Sequence, residues 1–528
     1  MHPTYHPIKH YLLFIFTLVS VTGCGPRTLN PRSHTRESMD FDNRLDTFGL
    51  ESLNYLDITA DGATQGSLAQ KPWADSYWPF YKKNIASRYT SSAEFRTFDE
   101  QIRDANSQQN SALLSPAEKF DLLEGDEKFS LTRESWDTYQ HYAQIYGANP
   151  RSWSWMGICS GWAPAAISEK APKNSVLASS PDGKQILFFE GDIRALLSKA
   201  YDLNDISEGF AFIGSRCEIS ENAWIRDSYG RIVDGINTNN GEPFSIIDDH
   251  GRSRGILQVK SLSMTSPQET FYFASNLPFE HLGGEQWAFK YTRQEDLALD
   301  LKNGTLGTHA TTTQPYYLRL QKNCRDVNPA SLHMAMTQLL AEKTPQKSGF
   351  VIEISRGKEV WNHPAWGFRT SISSPRSVQA EPWQKRILRA PHAAYITDVD
   401  TEIVYAAGVE PQPIYEPEDL TPFHWNDVSS GKYPVLRLHY DLEFDASGTI
   451  VGGEWKELTQ QENNIPDFFW RPNGRPTNAN KDRNGLSQLK FSKLQSLLEC
   501  SQRVPQGTVS IMQNNMPREI PVVRCELP

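Results

Sequence analysis

What this 528-residue sequence has least of is positive charge gathered in one place. Lys and Arg number 53 against 63 Asp and Glu, for a net charge of −10, and no basic stripe breaks that balance. A nucleic-acid partner is therefore excluded, because binding a phosphate backbone draws on clustered Lys and Arg. Long hydrophobic runs are equally few. Beyond Val21 none approaches the length of a bilayer crossing, so the bulk of the chain is expected to fold in water. There is no internal repeat and no low-complexity block. Cysteine is scarce, six in all, and the six are too widely spaced for a zinc motif. Hydrophobic residues make up 38%, aromatic residues 11% and charged residues 22%, a balance that supplies a packed core and rules out disorder as the dominant state. The length implies two or more domains, or one enlarged domain.

The single apolar run, Tyr11 to Val21, follows Lys9 and His10 and ends in Val21-Thr22-Gly23-Cys24. That ending resembles the lipobox of bacterial lipoproteins, in which cleavage falls before the cysteine and its thiol receives a diacylglyceryl group. Residues 1–23 then read as a signal peptide, and Cys24 as a lipidated first residue that anchors the protein to a membrane without a spanning helix. Gly25 in place of an aspartate favours the outer membrane or cell surface, so the expectation is an exported lipoprotein.

An oxidising compartment makes the remaining cysteines informative. Cys159, Cys217, Cys324, Cys500 and Cys525 are odd in number and cannot all pair within one chain. The economical partition is Cys500–Cys525, Cys217–Cys324 and a free Cys159. Around Cys159 the sequence runs Trp153-Ser154-Trp155-Met156-Gly157-Ile158-Cys159-Ser160-Gly161-Trp162-Ala163-Pro164-Ala165-Ala166-Ile167. A thiol at the mouth of an alanine-rich helix is a candidate nucleophile: the unpaired N–H groups and the positive end of the dipole favour thiolate and can hold an oxyanion. Because proline is uncomfortable past the first turn, Pro164 predicts a helix starting at Ser160 or later, with Cys159 on the turn before it.

Residues 24–72 are rich in Arg, Thr, Asn, Ser and Asp and read as a tether or pro-segment, whose removal is a candidate activation step. Residues 73–150 read as a helical region. Ser115-Pro116-Ala117-Glu118 is a capping box that opens a helix through Leu123, and Trp136, Tyr139, Tyr142 and Ile145 mark a second helix. Residues 151–480 read as the catalytic domain. There Gln185–Glu190 predicts a strand, Gly191 a turn, and Asp192 the cap of a helix through Tyr201. Further strands are predicted at Glu269–Ala274, Tyr316–Leu320, Phe350–Ile354, Ala394–Val399, Thr401–Ala406, Val435–Phe444 and Thr449–Trp455, with a turn at Asp445-Ala446-Ser447-Gly448. Residues 481–528 form a C-terminal segment stapled by a disulfide. Helices early and strands late give an α+β fold, with the nucleophile at a helix N-terminus packed on a mainly antiparallel sheet.

A thiol nucleophile needs a base, and the base needs an orienting partner. His333 and His392 are the candidate bases, while His250 reads as a turn residue.

Val360-Trp361-Asn362-His363-Pro364-Ala365-Trp366-Gly367-Phe368 is similar to the elicitor peptide of the Phytophthora transglutaminase elicitor family, and the Gly-x-Cys-x-x-Trp-Ala-Pro-Ala run at Cys159 to that family's nucleophile motif. The His333 segment, Ile450–Trp455 and Pro466–Trp470 follow in the same order. The family carries glutamine where this chain has His363, and Val-Arg where it has Ala365-Trp366. Its core has been likened to papain-type cysteine proteases, and its members transfer acyl groups from protein-bound glutamine to lysine amines. The resemblance implies Cys159 as nucleophile, His333 as general base and Asn362 as third member, with Asp326 and Asp398 as alternatives for the last. It further implies an oxyanion held by the Cys159 N–H and an indole N–H, and a water-excluding wall of Trp153, Trp155, Trp162 and Trp361. The expected partners are proteins bearing glutamine and lysine, or small amines. No cofactor is required; calcium enters only through the resemblance, since Asp441 and Asp445 lack the ligand density of a calcium loop. The same thiol could instead serve a papain-like protease or amidase, and a surface lipoprotein with a structural cysteine is the non-catalytic reading.

Overall fold

The Ser115 hydroxyl accepts the Glu118 N–H at 3.3 Å, and the Glu118 carboxylate accepts the Ser115 N–H at 2.7 Å. With Pro116 in the first helical position, the helix Pro116–Glu124 starts where the sequence places it. The computed structural model describes residues 49–89, 95–147, 149–202, 327–354, 359–381, 389–390, 392–415, 423–456, 465–472, 475–476, 489–513 and 516–527, with the backbone of short strands between 210 and 320. The next helix, Ser130–Tyr146, buries Trp136 and Tyr142 but leaves Ile145 55% exposed. Nine residues at 100° each carry Ile145 to the face opposite Trp136, off the buried stripe.

The helix Glu190–Asp202 departs from expectation at its start, because Gly191 lies inside the first turn rather than turning the chain. Asp192 does cap, but from within: its carboxylate accepts the Phe189 N–H at 2.7 Å and pairs with buried Lys119 at 2.5 Å. Glycine is required at 191 because a Cβ there would stand 2.1 Å from the Gln412 carbonyl oxygen.

The main sheet runs, edge to edge, through Ile450–Trp455, Val435–Phe444, Tyr395–Tyr405, Asn362–Ile372, Phe350–Glu353, Phe468–Pro472 and Phe210–Gly214, antiparallel at every step. The two predicted strands on either side of Asp400 are one strand, Tyr395–Tyr405; Asp400 points its side chain outward, where a charge does not interrupt the ladder. Asn362, which follows Phe350–Glu353 in the chain, begins the next strand and pairs with Glu353. The turn at Asp445–Gly448 forms as predicted, with Gly448 at φ 85°.

Alternation along the strands gives the sheet two apolar faces. Phe350, Ile352, Ala365 and Phe469 pack with Leu438, Tyr440 and the helix Pro329–Leu339 on one face. Val351, Phe468 and Trp470 pack with Ala163 of the helix Cys159–Ser168 on the other. The molecule is therefore α+β, with the Cys159 helix on a mainly antiparallel sheet.

Two expected boundaries do not match the packing. Residues 49–72 are not a tether: Ile58 is fully buried, and Gln65–Ser67 adds a strand to Asn362–Ile372. Residues 481–528 are stapled by Cys500–Cys525 but do not stand apart, because Met516–Cys525 pairs in parallel with Ser175–Ser179. Between Ala407 and Pro472 the chain adds Val435–Phe444, Ile450–Trp455 and Phe468–Pro472 to the main sheet. Cys24, Cys217, Cys324, His250 and Asp326 lie outside the described residues.

Candidate active site

Two glycines let the Cys159 turn be built. A Cβ on Gly157 would meet the Tyr77 carbonyl oxygen at 2.1 Å, and one on Gly161 the Ser198 carbonyl oxygen at 1.9 Å. The first allows residues 71–89 to cross the turn, where the Ile158 N–H donates to the Tyr77 carbonyl at 2.7 Å. The second lets the helix Cys159–Ser168 lie close against Glu190–Asp202.

The helix begins at Cys159 itself, with Ile158 as its N-cap, and so one residue earlier than the proline rule predicts. Pro164 sits inside it and forfeits one N–H, the donor that would have reached the Ser160 carbonyl. Burial on nearly every side holds the helix in place despite that loss. Cys159 is a free thiol, 1% exposed, in the first helical position. That position puts the sulfur at the positive end of the dipole.

Two groups, one at the start of the strand Asn362–Ile372 and one just before it, meet it. The thiol donates to the Val360 carbonyl at 3.7 Å, and Asn362 Nδ2 lies 3.5 Å from Sγ. Asn362 Oδ1 in turn accepts the indole N–H of Trp470 at 2.9 Å. Beside them the Trp361 backbone N–H donates to the Glu353 carboxylate at 3.1 Å, and its indole N–H to Glu359 at 2.9 Å. The Trp361 ring meets the Tyr77 ring edge to face at 4.9 Å.

His333 is not brought to Cys159. It lies on the helix Pro329–Leu339, on the opposite face of the sheet, fully buried among Leu332, Met336 and Tyr440. Its Nδ1 shares a hydrogen bond of 2.7 Å with the Tyr440 hydroxyl, and its Nε2 has no partner among the described residues. Burial pushes its pKa from 6.5 down to about 3, so the ring is neutral. The expectation failed because the sequence shows that a histidine sits on a helix but not which face of a distant sheet that helix covers. His392 is exposed at the turn before Tyr395. Among the described histidines, the ring that meets the nucleophile helix is that of His363, 6.4 Å from the Trp162 ring; its Nδ1 bonds the Ala406 carbonyl, and burial lowers its pKa. Asp398 is turned to Arg376 and Lys456 and does not serve this site.

The expected tryptophan wall divides in two. Trp153 and Trp162 are core residues whose indole N–H groups are spent on the Gly147 and Trp73 carbonyls, which removes them as oxyanion donors. Trp155 and Trp361 are half-buried, and Trp155 packs against the cluster of Val360 and Trp470. Trp470 and Tyr77 were not anticipated as site residues. The signals for Trp470 were its place in the Pro466–Trp470 run and the alternation of Phe468-Phe469-Trp470, which puts Phe468 and Trp470 on one face. Asp441 pairs with Arg389, and Asp445 accepts the N–H groups of Ser447 and Thr449, so both carboxylates have protein partners.

The arrangement is a helix-terminal thiol held by a fixed amide donor, which is equipped to form a thioester. A family model described as "Transglutaminase elicitor" matches residues 43–244 and 305–504. Among solved structures, the GP42 transglutaminase from Phytophthora sojae is similar, with 20% identity and a TM-score of 0.46 over 87% of this chain and 96% of that one. No curated protein matches the sequence.

Proposed function

Since the chain belongs to the transglutaminase elicitor family, we propose that it is a protein-glutamine γ-glutamyltransferase with Cys159 as nucleophile. The observation that carries this reading is the free thiol in the first helical position, faced by the Asn362 amide. The Cys159 sulfur adds to the carboxamide carbon of a glutamine. The C–N bond then breaks, ammonia leaves with the thiol's proton, and an acyl thioester remains. A primary amine attacks that thioester, the C–S bond breaks, and the proton returns to sulfur. Helix-terminal N–H groups stabilise the oxyanion in both halves. Because the thiol is almost fully buried, admitting a glutamine side chain requires neighbouring side chains to move. Thioester chemistry requires no metal.

The proposed setting is the cell envelope, with lipid on Cys24 and with glutamine- and lysine-bearing proteins or small amines as substrates. The Cys500–Cys525 disulfide supports an oxidising compartment. Replacement of Cys24 by alanine should then release the protein from membrane fractions.

Mass spectrometry after incubation with a glutamine-rich protein and a primary amine tests the activity. Amine mass gained with loss of ammonia, in wild type and not in Cys159→Ala, is the expected result. Conversion of glutamine to glutamate alone would make water the acceptor and the protein a hydrolase. No change at glutamine would overturn the reading.

A further inference from the structure

Asn362 is almost fully buried, so both ends of its amide must find partners within the protein. Oδ1 accepts the Trp470 indole N–H at 2.9 Å, and Nδ2 lies 3.5 Å from Cys159 Sγ. An indole N–H can only donate, so the acceptor end of the amide must face Trp470 and the donor end must face sulfur. Reversing the amide would set donor against donor at the indole and oxygen against sulfur at the thiol. The hydrogen-bond network assigns the orientation.

We propose that Trp470 is a positioning residue that locks Asn362 Nδ2 as a hydrogen-bond donor to the Cys159 thiolate, so that Asn362 acts on the sulfur directly rather than by orienting a histidine. The inference rests on Cys159 being the nucleophile of the proposed reaction. The sheet explains why these residues meet. Trp470 pairs with Val351 and Asn362 with Glu353, so the strand Phe350–Glu353 lies between them and sets both side chains on the face that carries the Cys159 helix. The histidine that an orienting asparagine would serve, His333, is on the other face. A donor aimed at sulfur favours the charged form of the thiol, adding to the helix dipole in a place water does not reach. Once the sulfur has attacked, the same N–H lies beside the reacting centre. Asn362 is then a catalytic residue and Trp470 acts through it.

The test reads the thiol without any acyl substrate. The rate of iodoacetamide labelling at the Cys159 peptide is followed by mass spectrometry against pH in the full chain. Trp470→Phe keeps the ring and removes the N–H; it should move the labelling profile to higher pH and slow labelling at pH 7 about threefold to tenfold, with the thermal midpoint close to wild type. Asn362→Asp keeps the acceptor for Trp470 but faces the sulfur with an anion, and should move the profile further in the same direction. In the Asn362→Asp background, adding Trp470→Phe should change the profile little, because position 362 then carries no N–H for Trp470 to aim at the sulfur. His333→Asn should leave the profile at the wild-type position. A wild-type profile in Trp470→Phe overturns the proposal, as does an undiminished Trp470→Phe shift in the Asn362→Asp background. A profile displaced by His333→Asn would also overturn it. Amine incorporation is scored separately: its absence in wild type counts against the transferase reading and not against the Trp470–Asn362–Cys159 link.

Discussion

At His333 the core decides the protonation state. The ordinary imidazole pKa is 6.5, and burial brings the folded value to about 3. Between those two values the unfolded chain binds a proton that the folded chain does not. The contribution of this ring is therefore complete above pH 6.5 and falls by up to about 1.4 kcal/mol per pH unit as acid passes through the window. Asp75, raised to about 6 by burial, and Asp121, Glu190 and Glu443, raised to about 7, pull the other way. The check is therefore the difference between variant and wild type. In His333→Leu that difference should shift in the variant's favour between pH 7.5 and pH 4.5 in urea denaturation, and parallel pH curves would refute the buried neutral ring. At His363, glutamine can keep the hydrogen bond to the Ala406 carbonyl, so His363→Gln should retain amine incorporation within about threefold, about 0.7 kcal/mol in a barrier.

Among the elements, the contact of the Cys159 helix with Glu190–Asp202 is the most sensitive to volume. Gly161→Ala places a methyl 1.9 Å from a backbone oxygen that cannot rotate away. A loss of about 2–3 kcal/mol is expected, read as a lowered denaturation midpoint together with slower labelling of Cys159 as the helix shifts. At Ser115 the loss should be smaller. Ser115→Ala removes the acceptor of the Glu118 N–H at the helix start and should cost about 1 kcal/mol with activity unchanged at 25 °C. The first helix was legible to its cap, because the capping box names its own start; the second was legible as a helix but not at its first residue, and the role of Gly161 was not read at all. What was not legible was the partner. Helix propensity and caps are local, whereas the choice of Ser198 as neighbour to Gly161 joins residues far apart in sequence.

In the whole molecule, the first and last parts of the described chain close the fold. Leu50 and Ile58 are buried against the main sheet, and Gln65–Ser67 pairs with the strand that carries Asn362. Removing everything before Trp73 should therefore lower the thermal midpoint and reduce amine incorporation; a faster and equally stable product would restore the activation reading. Cysteines 500 and 525 close a loop 25 residues apart in sequence, and replacing both by serine should cost about 2–4 kcal/mol while leaving activity at low temperature. The sequence by itself determined that the five cysteines after Cys24 cannot all pair within the chain, the α+β class and the strand Val435–Phe444, because each follows from counting or from local periodicity; that Cys500 pairs with Cys525 and Cys159 with neither was left for the structure to decide. Only the tertiary structure decided that Asn362 and Trp470 reach Cys159 while His333 does not. Which face of a sheet a side chain occupies depends on register between strands far apart in the chain, and a shift of one residue exchanges the two faces.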